Sequence, residues 1–179
     1  MRRLVTFALA LAAVLAAPDV ARACAASASG TWSFEVRLSP RAGTLCLQYV
    51  ELHHDATCEG EPESRFEVSC GETHRAAVTD DGVYVSVLAP RASHQSWPIV
   101  RVFERGPARI TTRVLALDHL DAEGRAGPRP RARVDAREVV LEGEGHAAHR
   151  VPLDEVVRLA RERPADRTQP DLVARASAP

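Results

Sequence analysis

Lysine and asparagine are both missing from the 179 residues, and each absence removes a group of chemistries. Without lysine there is no Walker A loop to reach a nucleotide phosphate, no Schiff-base amine and no S-x-x-K acylating site. Without asparagine there is no N-glycosylation acceptor and no Cys-His-Asn triad. The motifs G-x-S-x-G, H-E-x-x-H, C-x-x-C and G-x-G-x-x-G are missing too. These gaps favour binding or association over catalysis, and no residue pattern asks for a cofactor.

Long apolar runs are equally scarce. The only one, Leu4 to Ala17, follows the positive Met1-Arg2-Arg3 and leads through Pro18 to Ala21-Arg22-Ala23. A membrane-spanning helix needs roughly 20 apolar residues, so the run is too short to span. Its three-part build predicts a signal peptide over residues 1–23, cleaved before Cys24, and an exported product in the periplasm or outside the cell. A lipid-modified cysteine is the other reading of Cys24, but the preceding Ala21-Arg22 fits that signal poorly, so a membrane partner is expected only if Cys24 is lipidated. Loss of residues 1–23 removes three arginines and one aspartate, leaving a slightly acidic chain with no charge-based reason to bind nucleic acid.

What remains is dominated by period-two alternation. In TWSFEVRL, Trp32, Phe34, Val36 and Leu38 face one way and Ser33, Glu35 and Arg37 the other, which predicts a half-buried strand. Residues 44–52 are apolar on both faces and read as a central strand, with RFEVSC returning beside it as a hairpin. Asp80-Asp81-Gly82, Arg105-Gly106-Pro107 and Gly143-Glu144-Gly145 mark three further hairpin turns. Two of these hairpins end in the same strand-then-Leu-Asp-x-aliphatic pattern, at Arg113–Leu120 and Arg150–Val156, a weak internal repeat feeding a helical turn each time.

The fold class expected is mainly β: an antiparallel sandwich or rolled sheet of short hairpins with one short C-terminal helix. That helix is Leu153 to Arg163, with Leu153, Val156, Val157 and Ala160 on one face and Pro164 as its stop. Residues 24–163 are expected to form a single domain, residues 164–179 a disordered tail, and Arg125 to Val134 a mobile loop.

Cys24, Cys46, Cys58 and Cys70 form an even set in an exported chain, so two disulfides are expected. A hairpin register with Val50 opposite Phe66 would pair Cys46 with Cys70 and leave Cys24 for Cys58. Cys58 with Cys70, and Cys24 with Cys46, is the competing arrangement.

Few residues could carry chemistry. His53, His54 and His149 are candidate metal ligands, although His146 and His149 at that spacing on a strand would face opposite ways. Trp97, beside Pro98 in a long connection, is a candidate binding residue, with core filling as the ordinary explanation. Asp118 to Gly124 lacks the spacing of a calcium loop, and the arginine-rich run 125–137 lacks aromatics for base stacking. The functional expectation is an exported β domain acting by binding or structural association. Its alternatives are a small metal-binding or hydrolytic enzyme using scattered His, Asp and Glu, and a Cys24-lipidated envelope protein. Ligand and partner are not specified by any of these residues.

Overall fold

The first sheet grows directly from the alternating segments. The structure, a computed structural model, describes residues 24–38, 47–69, 76–88 and 98–176. The expected signal peptide, Cys46, Cys70 and Trp97 lie outside the described residues. Strands β1 (Ala25–Ala26), β2 (Ser33–Leu38), β3 (Leu47–His53) and β4 (Ser64–Ser69) lie side by side in that order. All are antiparallel, β3 is internal, and Val50 sits opposite Phe66 in the expected register.

Strands β5 (Ala76–Val78), β6 (Tyr84–Leu88), β7 (Ile99–Arg105) and β8 (Arg109–Ala116) form the second sheet, and β8 runs straight into the one-turn helix α1 (Leu117–Leu120). Gly82 closes the β5–β6 turn with φ +78°, and its bare backbone lies against the Trp32 ring, 2.8 Å from where a Cβ would stand. The third sheet has β9 (Arg131–Val134), β10 (Glu138–Glu142) and β11 (His149–Pro152), followed by α2 (Leu153–Arg161). Both β8 and β11 therefore pass into a helix at a Leu-Asp pair, as the repeated pattern suggests.

Two expectations are corrected. The segment 125–134 is not a mobile loop throughout, because its end forms β9 against β10. Nor is the chain beyond residue 163 a structureless tail: β12 (Arg167–Pro170) pairs antiparallel with β8 and α3 (Leu172–Ala176) follows. RTQP has no apolar period of its own. Its order comes from the open edge of β8 and from side chains that anchor it, Gln169 donating to the Glu67 carbonyl at 3.0 Å and Asp166 accepting from the Val114 amide at 2.7 Å.

The second sheet is the middle layer. One face carries Tyr84, Phe103 and Ile110 against Phe34, Val50, Leu52 and Phe66 of the first sheet, forming an aromatic core. Within it, Tyr84 meets Phe34 edge to face at 5.1 Å and Phe66 stacks on Phe103 at 5.3 Å. The other face carries Val85, Val87, Val100, Val102 and Leu115 against the third sheet and the apolar stripe of α2. The fold is thus mainly β, built of short antiparallel strands, with three short helices among the described residues.

Candidate functional site

The outer face of the first sheet gathers charge. Alternation puts Ser33, Glu35 and Arg37 of β2, Tyr49, Glu51 and His53 of β3, and Arg65 of β4 on the side away from the aromatic core. The register then sets Glu35 directly opposite Glu51, Ser33 opposite His53, and Glu51 opposite Arg65. Alternation in β2 predicts a polar side carrying Glu35, while residues 44–52 read as apolar on both faces. In the fold Glu35, Glu51 and His53 are each only 1% exposed.

Two like charges facing each other across a ladder repel, and burial makes their desolvation worse. Arginines relieve this. Arg37 bonds to Glu35, and its Nε also lies 2.6 Å from Glu51 Oε2; Arg65 pairs with the other Glu51 oxygen. The side chains of both arginines are 40% exposed, so they roof the carboxylates from the solvent side. Glu35 holds the Arg37 guanidinium even further above neutrality than usual, chiefly by hydrogen bonding.

His53 completes the cluster. Its Nδ1 lies 3.0 Å from the Gly60 carbonyl, a contact in which only an N–H can serve, so the proton sits on Nδ1. Nε2 lies 3.8 Å from Glu35 Oε1 and has no hydrogen-bond partner among the described residues. One oxygen or nitrogen from each of Glu35, Glu51 and His53 lies within 4.8 Å of the others.

The loop that supplies Gly60 is held from several directions. Asp55 accepts the amides of Thr57 at 2.7 Å and Cys58 at 2.8 Å, which depresses its carboxyl pKa. Cys58 adopts a left-handed φ of 56° and is bonded to Cys24, with 6.0 Å between their Cα atoms. The Ser33 hydroxyl lies 3.1 Å from the Cys58 sulfur. Of the two pairings expected from sequence, this is the one that leaves Cys46 for Cys70, both outside the described residues.

The other candidate histidines go elsewhere. His54 stacks on Trp32, with ring centroids 4.7 Å apart. His149 belongs to β11 in the third sheet, where its Nε2 lies 3.0 Å from the Leu120 carbonyl. Because the first and third sheets cover opposite faces of the middle one, His149 is not brought to His53. Glu35 and Glu51, which sequence reasoning passed over, stand in their place. The alternation that puts Glu35 on this face was readable; the β2–β3 register that sets it opposite Glu51, and the burial of both, were not.

A second feature is a cleft of about 510 Å³ beside α1, walled by Pro98, Ile99, Ala116, Leu117, Pro128 and Pro130. Asp118 and Asp121 also line it. Asp121 is occupied structurally, accepting the amides of Arg125 and Ala126 at 2.8 Å each, and so closes the turn that follows α1. Asp118 remains largely in solvent, near His119. Trp97, the candidate binding residue, is joined in sequence to Pro98 of this wall and lies outside the described residues.

No protein-family model, curated protein or solved structure matches the chain.

Proposed function

We propose that the protein is an exported β domain that acts by binding, with a small apolar, cationic ligand seated in the cleft beside α1. The observation that carries this reading is the cleft itself: an apolar wall rich in proline, whose fixed φ keeps it preformed, with Asp118 also lining it. Export is supported by the three-part N-terminal segment and by the Cys24–Cys58 bond, which suits an oxidising compartment. A sulfur in a disulfide has no valence left for a lipid, so the same bond supports a soluble product over a lipid-anchored one.

Titration with decylamine, followed by the emission of Trp97 in a Trp32→Phe variant, tests the ligand reading. Saturable change with decylamine, weaker with decanoate and abolished by Ala116→Phe, is the expected result. Equal response to both probes, or none, overturns it. The non-reducing intact mass of the secreted protein tests export: residues 24–179 less the hydrogens of the disulfides is expected, and retained residues 1–23 or added acyl mass would refute it.

A further inference from the structure

The geometry points to a divalent transition-metal site formed by Glu35, Glu51 and His53 on the outer face of the first sheet. It is independent of the cleft and does not rest on the ligand proposed for it.

Three observations converge. First, the donor atoms already cluster: each residue offers one ligand atom within 4.8 Å of the other two. An ion held at ~2.0–2.2 Å from three such donors sets them about 3.4–3.6 Å apart, so closing the site takes a movement of up to about 1.3 Å, and His53 Nε2 and Glu35 Oε1 already stand 3.8 Å apart. Second, His53 is prepared as a ligand. Gly60 fixes its proton on Nδ1, the outer-sphere arrangement that turns the Nε2 lone pair toward a metal. Third, that lone pair is 99% buried with its residue, faces a carboxylate and has no hydrogen-bond partner among the described residues. A bare acceptor turned toward an anion is costly, and a cation between them removes the cost.

Arg37 and Arg65 decide how the site fills. In the structure they neutralise the two glutamates, so the cluster is balanced without an ion. Among the described residues Glu51 Oε2 nevertheless accepts no aligned hydrogen bond, despite its 2.6 Å approach to Arg37 Nε. Both guanidiniums lie on the solvent side and can swing outward as an ion enters between them. One imidazole with two carboxylates suits zinc or a neighbouring first-row ion and discriminates against calcium and magnesium, which prefer oxygen alone. Three protein ligands would leave at least one coordination position open to water.

Equilibrium dialysis of tag-free, oxidised protein against zinc chloride, with calcium chloride in parallel, tests the assignment. One zinc ion per chain is expected, with no calcium uptake. His53→Gln should weaken zinc binding at least about tenfold, since loss of even an outer-sphere partner costs that much, whereas His149→Ala should leave it unchanged. Should His53→Gln fail to fold, the Nε2 15N resonance of His53 in the wild-type protein decides: it must move on zinc addition while that of His149 stays. No zinc uptake at micromolar metal, uptake that survives His53→Gln, or an unmoved His53 resonance would overturn the site.

Discussion

Asp80 and Asp55 show how single residues hold the loops around the aromatic core. Asp80 accepts the hydroxyl of Ser29 at 2.7 Å and its amide at 2.9 Å, and these bonds, the hydroxyl first, depress its pKa. Asp55 is depressed chiefly by the Thr57 amide. A carboxyl whose folded pKa lies below its unfolded value stabilises the fold above the unfolded value, and that contribution disappears as pH falls through the folded one. Asp80→Asn should therefore lower the melting temperature at about pH 6, and the gap to wild type should narrow toward about pH 2, as the wild-type carboxyl becomes progressively protonated. Melting curves at the two pH values check this, and a gap that widened in acid would contradict it. Gly143 is constrained differently: a Cβ there would stand 1.8 Å from the Ala126 carbonyl oxygen, a backbone atom with no rotamer to yield. Gly143→Ala should cost roughly 2–3 kcal/mol or more in urea denaturation, as overpacking does when the backbone must move.

At the scale of elements, the segment after α2 is the most informative. Asp171 is 2% exposed and ties the end of β12 to the first sheet: its carboxylate accepts the Ser64 hydroxyl at 2.6 Å and the Arg65 amide at 3.1 Å, besides the Val173 amide at 3.0 Å. Asp171→Ala would strand buried donors in β4 while removing no apolar contact. A loss of about 2–3 kcal/mol is expected, and Asp171→Asn, which keeps an acceptor, should lose less. Urea midpoints of the two variants measure the difference. The contrast with the hairpins shows what sequence can carry. Turns at Asp81-Gly82, Gly106-Pro107 and Gly143-Glu144-Gly145 are written in local chemistry, and strands on either side pair where alternation says they should. By contrast, β12 is ordered by an edge lying about 55 to 61 residues away in the chain, Arg167 pairing with Thr112 and Pro170 with Arg109, and nothing in RTQP announces it. The polar cluster falls between these cases. Alternation sends Glu35, Glu51 and His53 to one face, and the β2–β3 register of the folded sheet brings two of them opposite. That they are buried depends on arginine side chains folding over them and on the loop at Gly60, neither of which has a periodic signal.

For the whole molecule, the shared middle sheet should make the two cores unfold together. Detaching the third sheet and α2 would bare Val85, Val87, Val100, Val102 and Leu115 on one face of the middle sheet, a large apolar surface that could not stay exposed while the aromatic core survived on the other. Native-state hydrogen exchange is expected to give the same opening free energy for the amides of Val139 to Leu141 in β10 and of Val50 to Leu52 in β3. Lower protection in β10 would mean that the third sheet separates first. The Cys24–Cys58 bond acts on this single transition without belonging to either core. It spans 34 residues of sequence, and restricting an unfolded loop of that length is worth roughly 3–4 kcal/mol. A Cys24→Ser, Cys58→Ser double variant should accordingly melt roughly 5–15 °C lower while keeping one transition. The same variant frees the loop that carries Gly60, so the His53 ring should lose part of its fixed orientation even in the folded protein, seen as faster exchange or broadening of its Nδ1 proton. An unchanged His53 signal in the double variant would mean that Asp55 and its amide donors hold the loop by themselves, and that the disulfide contributes to stability alone.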